Sequence, residues 1–491
     1  MITEFEQRLN KVKSLRENNI EPYAYDFKSS HSINQVIELF DEKLKPSEKV
    51  EQVISVAGRV VALRNDGMFI QLQDQNNKLQ IFTLRKELDE ENKLVLKKID
   101  RGDFIGIFGY PCKTDAGELS IRTKSITMLT KTLRGLPDKF HGLSNQEVIY
   151  RQRYLDTIIS KRSKAVFETR SKIITELRCF LSKIDFLEVE TPVFHPIPGG
   201  TTAKPFITHH NDLDHKFYLR IATELYLKKI VVGGFEKIFE IGRIFRNEGV
   251  SIRHNPEFTS IELYQAYKDY DFMMDLVQDI IQHLAKFINK SSIEWNGMTA
   301  DISKPFRRIA VLDLIKEKTN LDFSPPKMTD NEAKKIAESV GLTIDKNKSW
   351  AEIVELVFET KCEKFLIEPT FVTDFPKEIS PLVKIHRKDS RLAERADLYI
   401  MGFELAPIYS ELTDPVEQKK RFEQQSEKFE RGDDEAMHFD SDFILALEHG
   451  LPPLAGMGLG IDRLVMILTG AKSIKDVIFF PTLSSKRAGK I

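Results

Sequence analysis

The sequence predicts an α+β protein in two parts, a small N-terminal β-barrel followed by a larger domain around an antiparallel sheet. Three observations predict it. Short β-type runs separated by turn signals fill the stretch from Val53 to about Leu129. Beyond about Glu147, helices and strands mix without the regular βα alternation of a doubly wound parallel sheet. At 491 residues the chain exceeds what one hydrophobic core usually organises, so two or three domains are expected.

In chain order, residues 1–50 are charged and helical in pattern, broken at Glu21-Pro22-Tyr23, and predict a helical arm. Residues 51–132 follow. The runs VISVAGRVVAL, MFIQLQD, KLQIFTL, FIGIFGYPC and ELSIRTKSITML, with a short helical insert near Lys86 to Lys97, suit a closed barrel of the oligonucleotide-binding (OB) kind. A generic barrel or sandwich fits the composition equally well. Phe69 as a stacking platform, with Gln80 and Glu118 as base-edge partners, favours nucleic acid. Residues 133–147, with Arg134, Pro137, Lys139 and His141, read as a linker. The larger domain, 148–491, opens with helices to about Asp185 and carries a lysine-rich, helix-bearing insertion at about 320–350, expected to be peripheral.

Composition narrows the class. With 41% hydrophobic and 30% charged residues and a formal net charge of -1, a nucleic-acid contact must rest on local patches rather than an overall basic field. Cys112, Cys179 and Cys362 form no CxxC pair, which argues against a disulfide framework or a thiolate zinc site and predicts reduced core residues. The N-terminus has no apolar signal core, and no apolar run approaches the roughly 20 residues that cross a bilayer. A cytoplasmic protein is expected.

The chemistry gathers in the larger domain. FEIGRIFRNEGVSIRHNPEFTSIELYQAY, Phe239 to Tyr267, reads as a hairpin whose loop is Asn247 to Pro256. Alternation puts Glu240, Gly242, Ile244 and Arg246 on one face, with Phe258, Ser260, Glu262 and Tyr264 on the same face of the returning strand. Such a polar set is costly to bury unless a ligand or partner groups satisfy it. Glu224 opens a helical pattern after Gly199-Gly200 and a strand. DLYIMGFELAPIYSEL sets Asp397, Glu404 and Glu411 on β-type sequence with a turn at Met401-Gly402, and Asp397 facing Glu404 across it would suit magnesium and phosphate. AGMGLGIDRLVMILTG is a glycine-rich strand entering a helix, with Arg463 in its first turn. It is neither a Walker loop nor a dinucleotide fingerprint.

On these residues the chain resembles the class II lysyl-tRNA synthetases of bacterial and eukaryotic cytosolic type, over nearly its whole length. FLEVETP (Phe186 to Pro192) looks like class motif 1, FRNEGVSIRHNPEFTSIELY like motif 2, and GMGLGIDR like motif 3. PGGTTAKPFITHHNDLD, RIATELYLKK, KTDAGELSIRTK, KFHGL, YRQRYLD and GDDEAM are similar to lysine-family text. The resemblance implies a six-stranded antiparallel catalytic sheet, an anticodon-binding barrel, a homodimer through motif 1, and a ligase that joins L-lysine to tRNA with ATP and magnesium.

It also implies roles. Arg246 and Arg463 are the catalytic arginines, Arg246 bridging the ATP α-phosphate and the lysine carboxylate, Arg463 closing over adenine and reaching the γ-phosphate. Phe258 stacks under adenine, and Glu248, Arg253, His254 and Asn255 line the nucleotide side. Asp397 and Glu404 hold the metal. Glu224 and the Gly200 backbone take the lysine α-ammonium, Ala222 belongs to the lysine-binding set, and Glu262, Tyr264 and Glu411 take the ε-ammonium. Phe69, Gln80 and Glu118 match positions that read a uridine-rich anticodon.

Three departures stand out. Asp397 replaces the family's glutamate, Pro407 stands where an asparagine helps hold the substrate carboxylate, and the turn in LRNDGMFI is shortened before Phe69. They motivate a competing reading, a catalytically weakened paralogue with an RNA-binding or regulatory role. Lysine transfer to a protein acceptor is a further alternative, and the barrel argues against it.

Overall fold

The computed structural model describes residues 2–137, 145–345, 347–431 and 436–483. The stretch KFHGL, including Lys139 and His141, and residues 432–435 of GDDEAM lie outside them. Contacts divide the chain into two compact units, Met1–Gly142 and Leu143–Ile491.

In the first unit, helices α1 (Glu4–Glu17) and α2 (Ile33–Phe40) precede strands β1 (Ile54–Arg64), β2 (Phe69–Gln73) and β3 (Lys78–Phe82). Helix α3 (Glu90–Lys98) then leads to β4 (Phe104–Lys113) and β5 (Leu119–Thr130), and the strands close into a barrel in the order β1-β2-β3-β5-β4. Period-two alternation drives the closure: Ile70, Leu72, Leu79 and Ile81 point inward and are buried, which sends Phe69, Gln80 and Phe82 outward. Leu15, Ile33 and Val36 belong to the same core cluster, so the N-terminal helices pack onto the barrel rather than standing apart. The Asn65-Asp66-Gly67 turn has three consecutive positive φ angles, 50°, 51° and 87°. A Cβ on Gly67 would lie 2.8 Å from Leu96, so glycine lets the turn close against α3.

The second unit opens with α4 (Gln146–Arg151), α5 (Arg153–Ile159) and α6 (Lys161–Lys183). Ser160 caps α6, whose stripe of Val166, Ile173, Leu177 and Leu181 is buried in the unit's largest cluster. There follow β6 (Leu187–Glu188), β7 (Phe194–His195), β8 (Ile207–His210), β9 (His215–Leu219), α7 (Glu224–Val232), β10 (Lys237–Phe245) and β11 (Glu257–Ala266). Next come α8 (Tyr270–Phe287), β12 (Ser292–Trp295), β13 (Met298–Asp301), β14 (Arg307–Ala310), α9 (Val311–Thr319), α10 (Asp330–Glu338), α11 (Trp350–Lys361) and β15 (Thr370–Thr373). The unit ends with β16 (Arg395–Ile400), β17 (Phe403–Ser410), α12 (Pro415–Glu430), α13 (Ser441–Glu448), β18 (Leu454–Gly460) and α14 (Ile461–Thr469).

Its main sheet has eight strands, in the order β14-β15-β16-β17-β18-β11-β10-β6, where the resemblance implied six. The six central strands pair antiparallel throughout, and the additions are parallel edge strands, β14 on β15 and β6 on β10. Motif 1 supplies β6, which is only two residues long. Around the insertion, Ala333, Ala337, Ile344 and Trp350 share a core with α9 and α11. Cys112 and Cys362 are buried as expected, but Cys179 is exposed, because it lies off the buried stripe of α6.

Candidate active site

The hairpin register bears out the shared polar face: Glu240 lies opposite Glu262, Gly242 opposite Ser260, and Ile244 opposite Phe258. Glu240 itself serves structure. Arg220 pairs with it at 2.5 Å and Thr191 of motif 1 donates to it at 2.7 Å, so this carboxylate is satisfied by the protein. A Cβ at Gly242 would lie 2.1 Å from the Arg220 guanidinium, which is why the position is glycine.

One cavity above β11, β17 and β18 is lined by Gly200, Ala222, Glu224, Arg246, Glu248, Arg253, His254, Asn255, Phe258, Glu262, Tyr264, Glu404, Glu411 and Arg463. It thus gathers every candidate residue of the larger domain except Asp397. Spacing explains the glycine-rich strand: Gly456, Gly458 and Gly460 pair with Tyr264, Glu262 and Ser260 and share the cavity face of β18. A Cβ at Gly456 would sit 2.2 Å from Glu411 Oε1 and 2.4 Å from the Tyr264 ring.

One end of the cavity is carboxylate-rich. Glu262 accepts the Thr223 N–H at 3.0 Å and the Tyr264 hydroxyl at 3.2 Å. Glu224 begins α7, and Gly200, at φ 90°, approaches so closely that a Cβ would lie 3.0 Å from Ala222 and 3.3 Å from Glu224. Lys228, one turn along α7 and fully buried, reaches Glu224 and Glu411 at 2.5 Å each. Sequence reasoning did not single out Lys228, although its i,i+4 spacing from Glu224 was a readable signal. Burial, with Glu224 beside it, pushes the Glu262 carboxyl up to about 7. Burial also pushes Glu411 up to about 8 despite the opposing pull of Lys228 on Oε2, and its Oε1 lacks a hydrogen-bond partner.

The other end is arginine-rich. Arg246 leaves β10 with its guanidinium 5.3 Å from the Phe258 ring centroid and Nε donating to the Ile221 carbonyl at 3.3 Å. Arg463 donates to the Glu404 carbonyl at 2.8 Å and meets His254 Nε2 at 3.0 Å. An arginine only donates, so His254 Nε2 accepts and the ring proton sits on Nδ1, toward Ser251 Oγ at 2.8 Å. Burial, then Arg463 and Arg253, lower the His254 pKa, consistent with a neutral ring. Arg253 rests on Glu363 and the Gly402 carbonyl, both at 3.1 Å, and above the Phe403 ring. Asn255 is committed to backbone, donating to the Glu257 carbonyl at 2.6 Å and accepting from Thr482 N–H at 3.1 Å, so it pins the loop. Asp462, which the sequence reading passed over, accepts from Thr259 N–H at 2.7 Å and pairs with Arg170, fixing the helix that carries Arg463.

The expected pairing of Asp397 with Glu404 needs correction. The turn at Met401-Gly402 sets Glu404 opposite Tyr399, and beyond a bulge between Leu398 and Tyr399 Asp397 falls opposite Pro407. Asp397 is wholly buried, off the cavity lining, in a forked ion pair with Arg395 whose shortest arm is 2.7 Å. Burial outweighs that pair and lifts its carboxyl to about 6. Glu404 and Pro407 both line the cavity. Among the described residues no group of three or more His, Cys, Asp or Glu could hold a metal ion. Asp397 as found does not fit a metal, whereas Glu404 remains free to meet one carried by phosphates.

In the barrel unit, Phe69 stacks on Phe82 of the neighbouring strand with centroids 5.4 Å apart, a second ring the sequence reading did not single out. The Gln80 amide donates to Ser120 at 3.0 Å, and Glu118 is exposed at the β4–β5 turn.

Comparison with known proteins agrees with this geometry. The family model described as tRNA synthetases class II (D, K and N) matches residues 145–484, and the OB-fold nucleic acid binding domain matches 54–129. The lysine–tRNA ligase of Lactococcus lactis subsp. lactis (strain IL1403) is 47% identical over 482 residues, 97% of each chain. That of Shouchella clausii (strain KSM-K16) is 45% identical over 487 residues, 98% of this chain and 97% of the relative. That of Carboxydothermus hydrogenoformans is 45% identical over 479 residues, 97% of each.

Proposed function

Because the chain belongs to the class II tRNA synthetases and ligates lysine to tRNA with ATP, we propose that its cavity binds both small substrates, lysine at the carboxylate end and ATP at the arginine end. The weakened-paralogue reading finds no support in the comparisons. The observation that carries the proposal is the gathering of buried Glu224 and Glu411 and half-buried Glu262 beside Arg246 in one cavity. Buried carboxylates without full partners call for a cationic ligand, and a site built to pair an ammonium rejects uncharged analogues by about 10⁴ to 10⁵.

In the first step a lysine carboxylate oxygen attacks the α-phosphorus and the bond to the β-phosphate bridge breaks, giving lysyl adenylate and pyrophosphate. In the second, the terminal 3′-hydroxyl of tRNA takes the lysyl group and AMP leaves. Arg246 stabilises charge at the α-phosphate while holding the lysine carboxylate, and its partial desolvation strengthens that interaction. Phe258 stacks on adenine; Arg463, neutral His254, Arg253 and Glu248 hold the rest of the nucleotide. Glu224, the Gly200 backbone and Ala222 receive the α-ammonium, and Glu262, Tyr264 and Glu411 the ε-ammonium. Glu404 would be the protein carboxylate that holds magnesium, which would supply neutralisation of phosphate charge. Asp397 is not proposed as a ligand in the conformation found.

For the barrel we propose anticodon reading by Phe69, with Gln80 and Glu118 at base edges; the outward, stacked Phe69 supports it. Boundaries at 51–132 for the barrel and 148–491 for the catalytic domain, and a cytoplasmic location, complete the proposal; no helix among the described residues is long and apolar enough to cross a membrane. Exposed Leu187, Phe194 and Ile207 around motif 1 support a homodimer through that face, checked by light scattering. The central test is amino-acid-dependent ATP–pyrophosphate exchange over the twenty amino acids and lysine analogues. Exchange with lysine alone is expected; none with lysine from a folded protein that binds ATP would overturn the assignment.

A further inference from the structure

We propose that Lys228 sets the charge of the amino-acid end of the cavity: its ammonium, clamped between Glu224 and Glu411, leaves two carboxylate charges there for the two ammonium groups of lysine. This rests on reading that end as the lysine site.

Lys228 is fully buried, and its ammonium donates to Glu224 Oε1 and forms an ion pair with Glu411 Oε2, each 2.5 Å away. Glu224 comes from its own helix α7 and Glu411 from the segment after β17, so the side chain ties together two segments distant in sequence. β11 contributes Glu262 and Tyr264, and Arg246 faces Glu262 from the other side. With the carboxyls held ionised by a bound cationic ligand, three carboxylates and one ammonium leave two negative charges, which a ligand with two ammonium groups neutralises once Arg246 takes its carboxylate. Without Lys228 the end would carry a third charge and take up a proton instead.

Glu411 Oε1 is buried with no hydrogen-bond partner, and it packs so close to Gly456 that a Cβ there would lie 2.2 Å from it. Lys228 therefore engages one edge of Glu411 and leaves the other for the ligand. Burial disfavours its charge, but Glu224 and Glu411 outweigh that and raise its pKa, so the ammonium stays charged. Reciprocally, it pulls both carboxyls down.

The test is the pH profile of kcat/KM for lysine in exchange by K228M and K228R in the full chain. In K228M the KM for lysine should rise about 30-fold with the KM for ATP within about twofold, and the acidic limb should move up by about one pH unit because Glu411 loses its cation. K228R should keep the limb in place. A folded K228M with the wild-type limb would overturn the proposal, since a lost packing contact lowers activity without moving a titration.

Should K228M not fold, E411Q and the double variant K228M/E411Q decide the matter. E411Q leaves one net negative charge and the double variant restores two, so the double variant should bind lysine more tightly than E411Q. Equal or weaker binding overturns the inference. Absence of lysine-dependent exchange in the wild-type chain would instead overturn the reading of the cavity.

Discussion

The barrel face and the catalytic cavity solve recognition differently. On the barrel, Phe69 is backed by Phe82 and the Gln80 amide is already bonded to Ser120, so nothing there is strained by the absence of a ligand. In the cavity, Glu262 and Glu411 are pushed up to about 7 and 8 by burial, and Glu411 Oε1 lacks a hydrogen-bond partner. A stacking platform leaves no electrostatic signature, because it works through exposed π-faces. A site for a small cation is legible from its own unpaid desolvation.

Substitutions can break this contrast, beginning with the largest effect. R246A removes the group proposed to face both the phosphate and the carboxylate, and should lower kcat for exchange by about 10³, as loss of a preorganised charge-stabilising donor does elsewhere. E262Q should cost about 10² in kcat/KM for lysine while KM for ATP holds, because an ammonium then meets an amide. F69A should cost about tenfold or more in KM for tRNA and leave lysine-dependent exchange unchanged, the value of one stacked base. If F69A slows exchange, the two sites are not independent. P407N should raise kcat/KM for lysine by only a few-fold, at most about tenfold, by restoring one hydrogen-bonding amide on the cavity wall.

A pH experiment sharpens the same comparison. Glu262 and Glu411 titrate above the ordinary glutamate value, so their contribution to stability is present at low pH and is lost as pH rises through about 7 and 8. The melting temperature of the ligand-free protein should fall over that window, and saturating lysine should remove most of the fall. Lysine affinity itself should weaken below about pH 7, as these carboxyls take up protons.

Much of the fold was readable because it is local. Alternation in β10 and β11 put Glu262 on the face of Glu240 and gave the register that the sheet adopts. The turn signals marked all five barrel strands. The two parallel edge strands were not readable, since β6 is two residues long and pairs with a strand about fifty positions away. Among the site residues, Arg246, Phe258, Glu262 and Arg463 were legible from motif and spacing, and all line one cavity. Asp397 was misplaced because the two-residue turn at Met401-Gly402 sets Glu404 opposite Tyr399, and a bulge that no alternation pattern announces shifts Asp397 one residue further, opposite Pro407.

The sequence by itself determined the two-part architecture, the hairpin face and the residue types at each end of the cavity, because side-chain periodicity and turn chemistry act over a few residues. Only the tertiary structure decided which charges remain available. It gave Glu240 to Arg220, Asp397 to Arg395 and one edge of Glu411 to Lys228, and it left Glu404 on the cavity wall. The Glu240 and Glu411 pairs depend on different segments of the chain meeting at hydrogen-bond distance, Asp397 meets Arg395 two positions along its own strand and is sealed in by burial, and a one-residue shift in strand register separates the neighbours of Asp397 from those of Glu404. Coulomb interactions inside a dry cavity turn those small displacements into differences of whole charges.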